Sequence, residues 1–368
     1  MPINVGATPM KVQKIKLSPY DYSWIVLDNN HLPIKPITEF IRYLNNVDKS
    51  PFTVKSYAYH LKLYWEFLDA KQLDWTQIKL SGLAAFVGWL RELSEQDAMV
   101  IDITEDRSAR KPATINVILG CLSSFYRYHN QLGHTDVTIT ESQSLPGNRY
   151  KALLHHVFKN KPAQKRIISV RQIKELPKTI TEEQFIQLNN ACTNYRDKFL
   201  IWLLYETGLR IGQALALRHE DIICWDNEIR VKYRTNNLNQ VRNKSYKPNT
   251  LHVSTQVMAL YSEYISTLDQ NKFTDYVFIN FKTKTPLCYP AVRKTFKKLS
   301  RKCGFYVRPH MLRHTHATSL VKAGWDMALV QKRLGHASVQ TTINTYTHID
   351  TKQMKEAFKS YLTKKENN

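Results

Sequence analysis

The sequence is poor in cysteine, and the cysteines that it has are not spaced as metal ligands. They are odd in number, and no two of them form a C-x-x-C pair: Cys121, Cys192, Cys224, Cys288 and Cys303. A disulfide framework and a cysteine-ligated zinc site are therefore both poorly supported. Scattered free thiols are typical of a reducing compartment, so we expect a cytoplasmic protein.

Long apolar runs are also missing. No stretch approaches the roughly 18–20 consecutive apolar residues that a membrane-spanning helix needs. The first residues, MPINVGATPMKVQKIKLSPYDYSW, lack the apolar centre of a secretory signal. We therefore expect no membrane partner. Residues 1–32 mix charged, aromatic and short β-like pieces, and we predict that they form an N-terminal appendage.

Acidic residues are in short supply relative to basic ones. The chain of 368 residues has 31 Asp and Glu against 53 Lys and Arg, a formal charge of +22. Such a surplus favours a polyanionic partner, either a nucleic acid such as double-stranded DNA or an anionic membrane surface, and the charge favours nucleic acid of the two. Because 43% of the residues are hydrophobic, the composition is that of a folded protein. The length predicts about two domains.

A helical domain is predicted at residues 33–135. The segment TVKSYAYHLKLYWEFLDA places apolar residues at steps of three and four, as one face of a helix requires: Val54, Tyr57, Leu61, Tyr64 and Leu68. Residues 79–93 and 111–133 predict two further helices, and Gly133 is a typical helix stop. The apolar period is then lost over residues 136–178, which are basic and interrupted by proline. We predict that they form a linker.

A second domain is predicted at residues 179–368. Thr181 and Gln184 have the spacing of a capping box, and an apolar helix follows them. EIRVKYR, TLHVS and YVFINF predict three short strands, and the rest of the domain has helical periodicity. The expected fold class is therefore mainly α with a small antiparallel β-sheet, in two domains.

Four segments of the second domain place a basic or histidine side chain beside glycine or proline at the end of an element. They are ETGLRIG with Arg210, NKSYK with Lys244, RPHMLRHTHAT with His310 and Arg313, and LGH with His336, which Tyr346 follows. Each residue alone has an ordinary explanation as a surface or capping group. Together they match the needs of phosphoryl transfer, because arginine forks bind phosphate oxygens and a tyrosine can act as nucleophile.

A metal site at this cluster is not favoured. His310 and His314 are four residues apart on a predicted helix, as in helical zinc sites. However, H-M-L-R-H has no glutamate in second position, and Arg313 would bring a cation next to the metal. We therefore expect neither a metal nor another cofactor.

The order and content of these motifs are similar to those of the tyrosine recombinase (phage integrase) family. The segments that carry the resemblance are TGLRIGQAL, the hairpin lysine, PHMLRHTHAT and LGHASVQTTINTYTH. The helical domain resembles the family's SAM-like core-binding domain, and the length and the long connector resemble the transposon-encoded members called transposase A. The resemblance implies six catalytic residues: Arg210, Lys244, His310, Arg313, His336 and Tyr346. Lys247 is the alternative to Lys244. One position departs from the pattern, since many members have an acid where this chain has Gln213.

The resemblance also implies a site-specific DNA strand transferase that integrates or transposes a mobile element. Tyr346 would form a 3′-phosphotyrosyl bond, Lys244 would protonate the departing 5′ oxygen, and the other four groups would assist at the phosphate. Four protomers on two synapsed sites are implied, with accessory recombination proteins as possible partners and a nucleoid-associated location. Three alternatives stay open: a topoisomerase-like nicking-closing enzyme, a DNA-binding regulator without catalysis, and a helical metallohydrolase.

Overall fold

The structure is a computed structural model that describes residues 9–17, 22–92, 110–142, 164–172, 177–234, 237–239, 241, 248–268 and 274–335. The chain divides into two compact units, Met1–Lys174 and Glu175–Asn368. Helices dominate both units, and the strands form small antiparallel sheets, which confirms the predicted fold class. Within the described residues, no helix combines the length and apolar character needed to cross a bilayer.

The N-terminal unit is a helical bundle with a β-hairpin. Its elements are β1 (Lys11–Lys16), β2 (Tyr22–Leu27), α1 (Lys35–Asn46), α2 (Pro51–Lys71), α3 (Leu80–Arg91), α4 (Pro112–Gln131), β3 (Thr140–Ser142) and β4 (Gln164–Arg166). The stripe predicted on α2 lies in the core, where Leu61 and Tyr64 are fully buried. The Tyr64 and Tyr126 hydroxyls are 2.6 Å apart, and Tyr126 donates to the Trp75 carbonyl at 2.8 Å.

The hairpin and part of the connector share this core. Val26 of β2 is fully buried among the helices, and its carbonyl accepts a hydrogen bond from the Ile34 amide at 2.9 Å. On the connector, Val170 is buried in the same cluster, and the Asn116 side chain bonds both its amide and its carbonyl. Residues expected in an appendage and in a linker thus pack against the helical bundle, because each segment offers apolar side chains that the helices cover.

The C-terminal unit packs helices and a small sheet around the apolar helix at Tyr195–Thr207. Its elements are α5 (Glu182–Asn190), α6 (Tyr195–Thr207), α7 (Ile211–Leu215), β5 (Ile222–Ile223), β6 (Glu228–Val231), β7 (Asn249–His252), α8 (Thr255–Ser266), α9 (Tyr289–Cys303), α10 (Pro309–Lys322) and α11 (Met327–Leu334). The capping box at α5 is confirmed. The Gln184 backbone amide donates to the Thr181 hydroxyl at 3.2 Å, and the Gln184 side-chain oxygen accepts a hydrogen bond from the Thr181 backbone amide at 3.0 Å.

The prediction of the third strand is wrong. The sheet has the order β5-β6-β7, with β6 and β7 paired antiparallel as expected. The segment YVFINF instead makes two isolated bridges, Arg218 to Tyr276 and Ile279 to Pro286. Residues 276–279 are all buried. The segment is apolar because it lies in the core, and an apolar run of this length does not distinguish a buried loop from a strand.

Candidate active site

The structure describes three of the six predicted site residues. Arg210, His310 and Arg313 lie within the described ranges, whereas Lys244, Lys247, His336 and Tyr346 lie outside them. The geometry of the described three, and of the groups that hold them, is therefore the basis for the site.

Arg210 lies at the start of α7, in the sharp turn that follows α6. Gly208 makes this turn possible with a backbone φ of 62°, a left-handed conformation that favours glycine. Gln213, which replaces the acid common in the family, is buried, and its side-chain oxygen accepts a hydrogen bond from the Arg210 amide at 3.0 Å. The glutamine therefore fixes the backbone of Arg210. The Arg210 guanidinium donates to the Gly335 carbonyl at 3.2 Å.

Arg313 lies on α10 and has the most deeply buried guanidinium of the described chain, with an exposed fraction of 2%. Its two terminal nitrogens donate to the Gly208 carbonyl at 2.6 Å and to the Leu334 carbonyl at 2.9 Å. Hydrogen bonds to an ionised group are about twice as strong as neutral ones, which offsets part of the cost of burying the charge. Arg313 is thus held rigidly by two neutral acceptors.

The two arginines meet at the end of α11. They bond consecutive carbonyls, Leu334 and Gly335, although they come from helices about 100 residues apart in the chain. Gly335 ends α11 with a φ of 62°. The partial negative charge at the C-terminus of a helix favours cations there. The sequence LGH continues from this turn directly to His336.

Further side chains that the sequence analysis missed hold the same turn. Asn249 donates to the Arg333 carbonyl at 3.2 Å. The Arg333 guanidinium donates to the carbonyls of Glu206 and His252 and to Nε2 of His316, each at 3.1 Å. The two residues are the second histidine of RHTHAT and the arginine of RLGH in the sequence, but no local pattern links them.

His316 is a neutral acceptor within this network. Burial, followed by the nearby charges of Arg333 and Arg313, lowers the pKa of His316 to about 3. Nε2 therefore has a free lone pair for the Arg333 N–H at neutral pH. A Cβ at Gly208 would lie 2.8 Å from the His316 ring and 2.8 Å from the Leu334 side chain. Gly208 thus permits the close approach as well as the turn.

His310 is a neutral member of the predicted set. It is an exposed residue in the first turn of α10, and its ring centroid lies 4.3 Å from that of His314. Partial desolvation, followed by the charges of His314, Arg313 and other nearby cations, lowers the pKa of His310 to about 4. A neutral imidazole at pH 7 can accept a proton or donate one hydrogen bond, but it adds no positive charge to the site.

A basic helix lies next to α10 in the chain. On α9, Val292, Phe296 and Leu299 are buried, while the opposite side exposes six cations: Arg293, Lys294, Lys297, Lys298, Arg301 and Lys302. A cavity of about 780 Å³ lies against this helix, and its lining includes Arg308 at the start of α10. An array of exposed cations with no interspersed acid is typical of a surface that contacts phosphates.

Comparisons with known proteins identify the family of the chain. The Phage integrase family matches residues 178–353, and the Phage integrase, N-terminal SAM-like domain, matches residues 37–131. The chain is 41% identical over 362 residues to Transposase A from transposon Tn554 of Staphylococcus aureus, covering 97% of this chain and 99% of that protein. It is 24% identical to Tyrosine recombinase XerA of Pyrococcus horikoshii, covering 87% and 91%.

A solved structure has the same fold. The Tn1549 transposon integrase in complex with a circular intermediate DNA superimposes with a TM-score of 0.59 at 15% identity, covering 88% of this chain and 99% of that one. The two carbonyl-anchored arginines, the order of the motifs and the relative that matches nearly end to end lead to one conclusion. The chain belongs to the tyrosine recombinase (phage integrase) family and is a site-specific DNA recombinase or transposase, an enzyme that cuts and rejoins DNA strands.

Proposed function

We propose that Tyr346 is the nucleophile and that Arg210 and Arg313 bind the scissile phosphate beside the end of α11. The Tyr346 oxygen attacks phosphorus, the bond to the 5′ oxygen breaks, and a 3′-phosphotyrosyl bond forms. The free 5′-hydroxyl of a partner strand then reverses the attack and releases the tyrosine. The reaction needs no ATP, because the energy of the phosphodiester is kept in the covalent intermediate.

The observation that carries the proposal is the meeting of the two arginines on consecutive carbonyls, those of Leu334 and Gly335. Arginine guanidiniums bind phosphate oxygens through charge-assisted, often paired hydrogen bonds. Donors that are fixed before the reaction stabilise the charge that develops in the transition state. The same turn leads into His336, which is therefore proposed as a third donor.

Two proton transfers complete the proposal. We assign Lys244, or Lys247 in its place, as the acid that protonates the departing 5′ oxygen. We assign His310 the opposite role, since a neutral imidazole has a lone pair that can accept the Tyr346 proton.

Duplex DNA is the proposed substrate, and α9 is the proposed contact to its backbone. The six exposed cations of α9 and the net charge of +22 both favour a polyanion. Two proteins of similar structure were solved with DNA, the Tn1549 transposon integrase with a circular intermediate DNA and a lambda integrase dimer on a core site. A tetramer on two synapsed sites, accessory recombination proteins and a nucleoid-associated cytoplasmic location remain parts of the proposal.

The direct test is a suicide substrate, a nicked duplex that spans the end of the mobile element carrying this coding sequence. Cleavage next to the nick releases a short fragment and traps the covalent adduct. We expect the wild-type protein to form an adduct and Tyr346→Phe to form none while still shifting the duplex in a gel. Tyr195→Phe is the matched control, because Tyr195 is an exposed tyrosine of the same unit, and it should retain the adduct.

Two outcomes would contradict the proposal. Adduct formation by Tyr346→Phe at the wild-type level would show that another residue is the nucleophile. A gel shift without any adduct in the wild-type protein would favour a DNA-binding regulator.

A further inference from the structure

Three potential metal ligands meet in the N-terminal unit, and none of them is a residue proposed for strand transfer. One ligand atom each from Glu39, His129 and His134 lie within 4.8 Å of one another. Within the part of the chain that the structure describes, this is the one group of three such side chains. No step of the proposed recombination reaction uses it.

The backbone brings the two histidines together through a Schellman motif at the end of α4. The His134 amide donates to the His129 carbonyl at 3.0 Å, and the Gly133 amide donates to the Asn130 carbonyl at 3.1 Å. Gly133 adopts the required left-handed conformation, with a φ of 71°. This motif usually brings two apolar side chains into contact across the helix end. Here the two positions hold imidazoles.

His129 is arranged as a metal-ligating histidine is. Its Nε2 lies 3.2 Å from the Pro36 carbonyl, which can only accept, so Nε2 carries the hydrogen and Nδ1 has the lone pair. Metal-bound histidines almost always donate their second N–H to a carbonyl or carboxylate in this way. His129 is fully buried, so its ring is held in this orientation.

The spacing of the ligand atoms fits one small ion. Nδ1 of His129 and Nδ1 of His134 are 3.0 Å apart. Two nitrogens on a tetrahedral zinc ion, each about 2.0–2.1 Å from the metal, are about 3.3 Å apart. His134 is exposed and can move its proton from Nδ1 to Nε2, which frees the second lone pair. It also lines an open cavity of about 560 Å³, which gives an ion a path from solvent.

We propose that Glu39, His129 and His134 form a binding site for a divalent transition-metal ion of the zinc class, with water as the remaining ligand. Two imidazoles and a carboxylate are a ligand set that zinc accepts in proteins. The ion would join α1, through Glu39, to the end of α4 and the turn after it. Its effect is to stabilise the N-terminal unit, and it takes no part in phosphoryl transfer.

The test is a Zn²⁺ titration of the untagged full-length protein in a phosphine reductant, with a chromophoric chelator as competitor. His134→Asn is the main variant, because an asparagine amide can still donate to Nδ1 of His129 but is a poor zinc ligand. Glu39→Gln removes the carboxylate charge. His31→Asn is the matched control, since His31 is an exposed histidine with a φ of 62°, a conformation that asparagine tolerates.

We expect the wild-type protein and His31→Asn to bind Zn²⁺ with equal affinity and to melt at a higher temperature when it is bound. His134→Asn and Glu39→Gln should each bind at least about tenfold more weakly and lose the rise in melting temperature. Co²⁺ should give the intense visible absorption of a tetrahedral site in the wild-type protein and not in His134→Asn.

Three results would overturn the proposal. Wild-type protein that binds no Zn²⁺ has no such site. Equal affinity in His134→Asn would place the metal elsewhere, for example on the exposed Cys288. Equal affinity in Glu39→Gln would show that the carboxylate is not a ligand and that the three-residue site does not exist.

Discussion

The cores of the two units differ in what they bury. In the described part of the N-terminal unit, the buried polar side chains are Ser23, Ser123, His129 and Thr135, and none is an arginine, lysine, aspartate or glutamate. Among its described residues, the C-terminal unit buries four such charged residues: Arg196, Asp197, Asp221 and Arg313. Burying a charge is costly unless it is bonded. The first core is thus built for packing, whereas the second holds charges in place at a cost in stability.

Arg313 differs from the other buried charges of its unit. Arg196 bonds Asp197 at 2.7 Å, and Asp221 bonds Arg234 at 2.7 Å, so each of these charges faces an opposite one. Arg313 instead bonds two backbone carbonyls, those of Gly208 and Leu334, which hold the guanidinium in place. A positive charge fixed in this way is suited to a phosphate, and the comparison can be tested at four positions.

Arg313→Ala should have the largest effect, because it removes a fixed donor from the proposed transition state. We expect the single-turnover rate of adduct formation to fall by about 10²–10³-fold at saturating DNA. Arg301→Ala is the control, since Arg301 is an exposed cation on α9. It should weaken DNA binding and leave the saturated rate close to that of the wild type. A wild-type rate in Arg313→Ala would show that Arg313 does not stabilise the transition state of adduct formation.

Gly208→Ala should lower both stability and activity. The new Cβ would meet His316 and Leu334 at 2.8 Å, and the residue would keep a φ of 62°. The left-handed backbone costs about 1–2 kcal/mol, and overpacking adds about 1–3 kcal/mol. Gly304→Ala is the matched control, since its φ is 75° and nothing lies within 4 Å of the added Cβ. Urea denaturation should show a larger loss in the free energy of unfolding for Gly208→Ala than for Gly304→Ala. Equal losses in the two variants would contradict the close approach at Gly208.

Acid should destabilise the C-terminal unit through His316. Its pKa is about 3 in the folded protein, against an ordinary value of 6.5, so below pH 6.5 the unfolded chain takes up a proton that the folded chain does not. The stabilisation is complete above pH 6.5 and is lost as the pH falls towards 3. Between pH 6.5 and pH 5 the loss is about 2 kcal/mol, at about 1.4 kcal/mol per pH unit.

His316→Gln should lower the slope of the unfolding free energy against pH by the equivalent of one proton. A glutamine oxygen can accept the hydrogen bond from Arg333, but it does not titrate. Stability is measured by urea denaturation at several pH values. His252→Gln, at an exposed histidine of the same unit, should keep the wild-type slope. An unchanged slope in His316→Gln would mean that the ring is already protonated in the folded protein.

Tyr64→Phe should have the smallest effect and should act on stability alone. The change removes one hydrogen bond in the N-terminal core, while Tyr126 keeps its bond to the Trp75 carbonyl. We expect a loss of about 1 kcal/mol in the free energy of unfolding. The rate of adduct formation by folded protein should not change. A large fall in that rate would contradict the claim that the N-terminal core contributes to stability and not to the chemistry of adduct formation.

Local signals predicted much of the fold. The stripe on α2, the capping box at Thr181 and the start of α10 at Pro309 each depend on residues a few positions apart. Such patterns set helix ends and buried faces directly. The motifs around Arg210 and Arg313 were found for a similar reason, since each is a short sequence with an unusual mixture of residue types.

Contacts between distant segments could not be predicted. The bond from Arg313 to Gly208 spans 105 residues, and the contacts of Arg333 with Glu206 and His316 have no local signature. The same limit explains the hairpin, whose packing on the helices depends on a surface formed by other segments. It also explains residues 276–279, where an apolar run fits a buried loop as well as a strand.

The most direct test of the central claim is to locate the covalent bond. A labelled suicide duplex is trapped on the wild-type protein, the adduct is digested with a protease, and the labelled peptide is sequenced by mass spectrometry. The account predicts that the label lies on Tyr346, in the peptide that follows the turn bonded by Arg210 and Arg313. A label on any other residue would contradict it.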